Sequence, residues 1–367
     1  MDIVVLELIK ALQIIDNKNE YYILVKPDID SGILQETPNF KIIEIPGSSY
    51  PLWEQFSLPK VIKKIKPDIV HCTSNTAPIT SKFPLIITLH DILYMRHIDF
   101  TKGSWYQRLG NLYRRWNVPQ VINKCEKIIT VSKFEKEEIE EYFSLPPGQV
   151  EVIYNSPSTL FKPIQDRTKL EYYRQKYRLP QKFVFYLGNT HPNKNIRNVL
   201  KALSMLNQEN EEPFYIVMPD IEKDFLGKIL QEIGDHQLKE YIFLTGYIPN
   251  HELPYLYNLS EVFLYPSFYE SFGIPILESM ACGTPVITSN TAAMPEVSNG
   301  HAYIVDPRQA DEIKSAIMNI YSRSAKDRPC AIDQIHYAKN FSWEKTASRV
   351  LKLYEEVYTS KRTTSHK

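Results

Sequence analysis

The chain has 367 residues, enough for two domains and for large buried cores. Lysine plus arginine total 43 and aspartate plus glutamate total 43, so net charge makes no case for a nucleic-acid partner. Four scattered cysteines (Cys72, Cys125, Cys282, Cys330) form no close-spaced metal or redox motif, no signal-peptide pattern opens the chain, and the longest apolar runs are strand-sized, which points to a cytoplasmic protein without a membrane span.

In chain order, residues 6–15 read as an amphipathic helix, followed by strand-like runs at 21–25, 41–45, 69–72, 85–89 and 127–131 with helical stretches between several of them. The stretch NSPSTLFKPIQ (155–165) is rich in turn residues and reads as a linker. A second alternating series follows at 183–187, 214–218, 242–245, 262–265, 286–288 and 302–305. Strands alternating with helices indicate parallel α/β sheets. The expected organisation is α/β, with two Rossmann-like domains facing each other across a cleft, residues 1–160 and 161–340. Residues 341–358 then form one long amphipathic helix, and 359–367 a polar, disordered tail.

The segment EVFLYPSFYESFGIPILESMACGTPVITSN (261–290) carries the chemistry. It reads as strand, loop, helix, strand, with Pro275 suited to the first helical position and Gly283 to the end. A helix opening near Ile274 presents amides around Ser271, Phe272, Gly273 and Ile274, plus a partial positive charge, a natural diphosphate site. Glu278, one turn in, can accept from two vicinal ribose hydroxyls, and Glu270 lies in the loop where a second sugar would meet it. The bland alternative is a pair of solvated helix-end charges; the strand, glycine and proline context favours the clamp. In FVFYLGNTHPNKNIRNVLKAL, the glycine turn places Lys194 at the mouth of a helix, as a compact charge for a diphosphate and a departing nucleotide. His90 and Asp91 follow the strand at 85–89. A histidine there either serves a reacting centre or satisfies a backbone carbonyl at a strand end. Ser132 reads as a helix cap and Asn155 as a turn residue. Asp28 and Asp30 superficially match a metal–nucleotide motif, but Asx turns explain them better, and no metal is expected.

Segment 261–290 resembles the C-terminal signature of the retaining glycosyltransferase family 4, or group 1, which has the GT-B fold. TLHDILY, IITVSKFEKEEI, VEVIYNSPSTLFKP, FYLGNTHPNKNI, FLTGYIPNHELPYLY and SNTAAMPEVSNGHAYIVDP resemble further landmarks in the family's order. The resemblance implies that Glu270 contacts the donor sugar, Glu278 the ribose, Lys194 the diphosphate, and Gly246 and Tyr247 the base, with His90 beside the reacting centre. It also implies that the helix at 341–358 returns to the N-terminal domain. Where many members carry an arginine after the glycine turn this chain has Asn189, which donates without charge; Arg197 is the residue available to compensate. Family members begin with a strand and a glycine loop that are missing before the first helix here, so an upstream start is expected.

The implied function is retaining hexosyl transfer from a UDP-, GDP- or ADP-sugar to a glycan or lipid-linked acceptor, in surface polysaccharide or lipopolysaccharide synthesis, with no cofactor. The favoured mechanism is front-face substitution, the departing phosphate helping to deprotonate the acceptor. A catalytically inactive nucleotide-sugar-binding scaffold is the alternative, and an epimerase finds no acid–base set of its own. The basic, aromatic stretch at 105–116 and Lys63, Lys64 and Lys66 can rest on anionic lipid, giving a peripheral membrane contact. The expectation preferred here is a solvated basic face with its aromatics packed inward.

Overall fold

The computed structural model describes residues 3–27, 32–96, 105–322 and 331–365. The Asp28/Asp30 turn and Cys330 lie outside the described residues. The chain divides into two compact units, Met1–Asn155 with Trp343–Lys367, and Ser156–Ser342. The linker expected at 155–165 therefore belongs, from Ser156 on, to the second unit. There Asn258 pins it, accepting from the Ile164 amide at 2.8 Å and donating to the Lys162 carbonyl at 3.0 Å.

In the first unit, β1 (Tyr21–Val25) and β2 (Phe40–Glu44) form a parallel pair. A separate parallel sheet runs in the order β3 (Val70–Cys72), β4 (Leu85–Thr88), β5 (Lys127–Thr130) and β6 (Val150–Val152). The sequences LIIT and KIIT of β4 and β5 suit strands covered on both faces. Leu85, Ile87, Ile128 and Val150 turn to one core with the helices Leu58–Ile65 and Trp105–Val121. Ile86 and Ile129 turn to the other, with the helices Ile3–Ile15 and Trp343–Ser365. Leu24 and Ile43 join the first core and Ile23 and Ile42 the second, so β1 and β2 share both cores although no ladder joins the two sheets among the described residues. Strand β6 has no counterpart in the sequence reading; three residues with Glu151 between two valines give too short a pattern.

The C-terminal helix buries Trp343, Ala347, Val350, Leu353 and Val357 in the second core. It continues to Ser365, through most of the segment expected as a disordered tail. Lys361, 2.5 Å from the Glu126 carboxylate, and Arg362, donating to the Tyr358 hydroxyl at 3.1 Å, hold that extension where apolar burial has ended.

The second unit is one six-stranded parallel sheet of β7 (Val184–Tyr186), β8 (Ile216–Met218), β9 (Ile242–Leu244), β10 (Val262–Tyr265), β11 (Val286–Ser289) and β12 (Tyr303–Val305). Its spatial order is β12-β11-β10-β7-β8-β9, so the winding reverses between β7 and β10. Val184, Tyr186, Val262 and Leu264 face one core. Phe185 and Phe263 face the opposite side, edge-on to Tyr257 at 5.1 and 5.0 Å. A reversal in an open parallel sheet leaves a crevice at the carboxyl ends of the flanking strands.

Candidate functional site

The loops leaving β7 and β10 meet at that reversal. After β7 the chain makes a short 3-10 turn, Pro192–Lys194, and Asn195 closes it in the left-handed region at φ 61°. Asn195 donates to the carbonyls of Pro266 at 2.9 Å and Pro307 at 2.6 Å, and the Phe268 amide donates to the Asn193 carbonyl at 2.7 Å. Ser289 and Thr291 add bonds to the carbonyls of Ser267 and Phe268. Thus two loops far apart in sequence are locked together by backbone carbonyls.

That lock brings Lys194 and Glu270 into contact. Lys194 Nζ donates to Glu270 Oε1 at 2.7 Å and to the Tyr265 hydroxyl at 2.8 Å, and sits 4.8 Å from the centre of the Tyr265 ring. Both charged side chains are about one-fifth exposed, so the pair is only partly screened. Burial first, and then the Glu270 charge and hydrogen bond, push the Tyr265 phenol well above its ordinary range and keep it neutral. Tyr186 buttresses the turn from below, its hydroxyl donating to the Lys194 carbonyl at 2.7 Å.

The helix Ile274–Cys282 opens at Gly273, whose φ of +93° no side chain adopts easily, and no side-chain cap covers its start. Helical geometry begins at Ile274, where the sequence places the opening, with Pro275 second rather than first. Glu278 lies one turn in, as expected, but 8% exposed, its carboxylate accepting from the Tyr257 hydroxyl at 3.0 Å. Burial pushes this carboxyl up to about 7, against the opposing pull of the Tyr257 bond. Phe272 is buried and edge-on to Phe341 at 6.3 Å, so what it offers a ligand is backbone. Ser271 precedes it in the same loop.

A pocket of about 260 Å³ opens here, lined by Gly188, Asn189 and Lys194 after β7, Asp220 after β8, Tyr247 after β9, and Tyr265 and Pro275. Tyr247 is 75% exposed, a free aromatic face on the rim, and Gly246 before it has a left-handed φ of 71°. Asn189 accepts from the His191 amide at 2.9 Å, an Asx turn that leaves its amide nitrogen as the group available to a phosphate. Arg197 does not compensate for the absent charge: it pairs with Glu232 on the helix Lys223–Ile233. Among the expected residues, Asn189, Lys194 and Tyr247 thus line one pocket, Glu270 joins it through its bond to Lys194, and Glu278 is buried against Tyr257. Tyr265 and Tyr257, which hold the two ends of the acidic pair, were missed because an aromatic in a strand or helix reads as core.

His90 belongs to the first unit, at the carboxyl end of β4. Its Nε2 bonds the Thr73 carbonyl at 3.0 Å and its amide donates to Asn75 at 2.7 Å, the strand-end arrangement weighed above. Ser132 caps its helix, accepting from the Glu135 amide at 3.1 Å. The helix Trp105–Val121 departs from expectation: Tyr113 packs inward, but Trp105 and Trp116 are more than half exposed. A buried carboxylate explains Tyr113. Glu54, 1% exposed on a π-helical turn, accepts from Tyr113, from Thr76 at 2.7 Å and from Tyr50 at 2.9 Å. Among the described residues no cluster of metal-ligating side chains occurs, and no helix is long and apolar enough to cross a membrane.

The family model described as Glycosyl transferases group 1 matches residues 171–340, and that described as Glycosyltransferase Family 4 matches residues 3–157. The chain is 30% identical over 272 residues to O-antigen chain mannosyltransferase B of Escherichia coli, covering 74% of this chain and 70% of that one. It is 28% identical over 227 residues to the serotype-specific mannosyltransferase WbdA of Escherichia coli, a match covering 61% of this chain but 28% of that longer protein. Among solved structures, HepE of Anabaena in complex with UDP and glucose superposes with a TM-score of 0.74 at 18% identity, covering 96% of each chain, a likeness of fold.

Proposed function

The chain belongs to the group 1 glycosyltransferases, family 4-like enzymes of GT-B fold, and from that premise we propose that it moves a hexosyl unit, mannose, from a nucleotide-sugar donor to an O-antigen-type glycan or its lipid-linked precursor. Two mannosyltransferase relatives support the sugar and the pathway class. The observation that carries the reading is the Lys194–Glu270–Tyr265 cluster at the sheet reversal, open on a pocket with an exposed aromatic rim.

In this reading the nucleobase stacks on Tyr247 beside Gly246, as flat rings do on exposed aromatics. The diphosphate takes Asn189, the amides from Ser271 through Ile274 and the Lys194 ammonium. Donor binding draws Lys194 towards the phosphates and frees Glu270 for the hydroxyls of the sugar. Glu278 exchanges its Tyr257 bond for the ribose hydroxyls. As the bond to the sugar breaks, negative charge grows on the departing phosphate, and a preplaced ammonium and helix terminus stabilise it without reorganisation. With Glu270 engaged by the sugar hydroxyls rather than set beneath the anomeric carbon, retention in this reading proceeds by front-face substitution, with the leaving phosphate accepting the acceptor's proton. No metal is needed where Lys194 supplies the charge. His90 is the acceptor-side candidate in the first unit, and the protein works peripherally at the inner face of the membrane.

The test is thermal stabilisation by a panel of UDP-, GDP- and ADP-sugars, followed by transfer with the stabilising donor and assignment of the product's anomeric configuration. Stabilisation by one nucleotide class and a retained anomer are expected. Indifference to every nucleotide sinks the reading, and an inverted anomer sinks its mechanism.

A further inference from the structure

Of the three residues clustered at the sheet reversal, Tyr265 alone stands on a strand. Its register fixes it: Tyr265 pairs with Thr288 of β11, and its neighbour Leu264 with Tyr186 of β7. The ring lies nearly parallel to that of Phe263 at 5.6 Å, and the residue is only 3% exposed. A β-carbon on Gly273 would stand 3.7 Å from the ring, so the ring also backs onto the opening of the helix Ile274–Cys282. Lys194, by contrast, ends a short 3-10 turn, and Glu270 lies in the loop after β10. The Tyr265 hydroxyl is therefore a fixed point between two charged groups carried on less regular backbone.

That hydroxyl closes a triangle of hydrogen bonds. An ammonium has three N–H donors and no acceptor. Lys194 uses one on Glu270 Oε1 at 2.7 Å and another on the Tyr265 oxygen at 2.8 Å. The phenol accepts from Lys194, so its own proton is directed elsewhere, and the Glu270 carboxylate is the acceptor it bonds. In the donor complex described above, Lys194 turns to the diphosphate. Glu270 is then a partly buried carboxylate beside phosphate charge of its own sign, and it needs a donor for which the phosphates do not compete. A second cation there would be drawn to the diphosphate as well; a neutral phenol on a rigid strand is not. We propose that Tyr265 is a positioning residue, which holds the Glu270 carboxylate in place for the hydroxyls of the donor sugar once Lys194 has moved to the diphosphate. The inference rests on the transferase reading and adds the group that steadies the sugar end of its clamp.

Calorimetric titration of the full chain tests it, with the nucleotide sugar that stabilises the wild type and with the matching nucleoside diphosphate, alongside transfer kinetics. Tyr265→Phe removes one oxygen and keeps the ring. It should bind the nucleoside diphosphate as the wild type does, while kcat/KM for the nucleotide sugar falls roughly tenfold or more, the size of a lost bond to a charged group. Nucleotide sugar should also bind it more weakly. Glu270→Gln should show the same pattern, and Tyr265→Phe added to Glu270→Gln should bring little further loss, because the phenol acts through that carboxylate. Added to Lys194→Ala, it should still bring its full loss. Wild-type kcat/KM in Tyr265→Phe overturns the proposal, as does an equal weakening of both ligands, which marks a purely structural role. A loss that persists in full beside Glu270→Gln, or vanishes beside Lys194→Ala, also overturns it, since Tyr265 then supports the ammonium instead. Wild-type protein that binds no nucleotide sinks the transferase reading itself, and this inference with it.

Discussion

On the proposed reading, one proton on Glu278 has opposite effects on the free protein and on the donor complex. Its carboxyl, raised to about 7 by burial from an ordinary 4.5, makes folding favour the protonated form. The corresponding stability is fully present below pH 4.5 and is lost as pH rises through 7, a swing of about 3 kcal/mol at 1.36 kcal/mol per pKa unit. Thermal melts at pH 5 and pH 8 should therefore show a fall for the wild type that Glu278→Gln flattens; equal slopes would refute the assignment. Donor binding has the reverse sign, because a protonated carboxyl loses acceptor capacity, so affinity should rise between pH 6 and pH 8 and Glu278→Gln should bind weakly throughout. Lys194 makes a separate prediction. On the proposed reading Lys194→Ala removes a charge that counts most as the nucleotide departs, so kcat should fall roughly a hundredfold or more. The melting temperature should fall as well, since a pair about one-fifth exposed loses a partner and the Tyr265 hydroxyl loses a donor, at a cost of about 1–3 kcal/mol. A KM effect with unchanged kcat would make Lys194 a binding residue only. The placement of both acidic residues and the lysine was legible, because strand-end loops and a helix start announce themselves in proline, glycine and alternating apolar runs. Their pairing was not: 76 residues separate Lys194 from Glu270, and the β7–β10 pairing together with the carbonyl lock around Asn195 brings them together.

At the scale of elements, most strands of the three sheets were readable, since branched residues covered on both faces leave continuous apolar runs. The short β6 was not, and neither was the outward face of the helix 105–121. Tryptophans at helical spacing look the same whether they face a core or water, and the inward role fell instead to Tyr113, whose partner Glu54 is 59 residues away. The turn after β7 shows how tightly an element can constrain one residue. A β-carbon on Gly188 would run into the ring and hydroxyl of Tyr186, which is fully buried and bonded to the Lys194 carbonyl. The ring cannot swing away without leaving the core, so Gly188→Ala should cost about 1–3 kcal/mol, as overpacking does. It should also dislodge the turn that carries Lys194, and nucleotide stabilisation should weaken with the stability. Urea unfolding with and without the stabilising nucleotide measures both, and an alanine variant with wild-type midpoint and nucleotide response would show that Tyr186 does not position the turn.

At the scale of the molecule, the chain leaves its first unit at Asn155 and returns to it at Trp343, so that unit is completed only by a segment that follows the whole of the second. The returning helix contributes four large apolar side chains, Trp343, Val350, Leu353 and Val357, each no more than 7% exposed. At about 1.5–3 kcal/mol apiece they supply roughly 6–12 kcal/mol. A domain's whole margin is about 5–15 kcal/mol. Tyr354 adds a bond between its hydroxyl and His71 Nδ1 at 2.7 Å, without which a part-buried imidazole, its pKa already lowered by burial to about 4, loses a partner. A chain ending at Ser342 should therefore lose the cooperative unfolding of the first unit while the second, whose sheet and pocket residues all lie within 156–342, still binds nucleotide. Two probes separate the units. All four tryptophans, Trp53, Trp105, Trp116 and Trp343, belong to the first, so tryptophan emission reports that unit alone, and nucleotide-dependent stabilisation reports the other. In the shortened chain the emission of Trp53, buried in the full protein, should shift to the red and lose its sigmoidal urea transition, while the nucleotide-sensitive transition persists. A blue-shifted Trp53 with a sharp transition would mean that the first unit folds without its returning helix, and that the burial sum above overstates what the segment contributes.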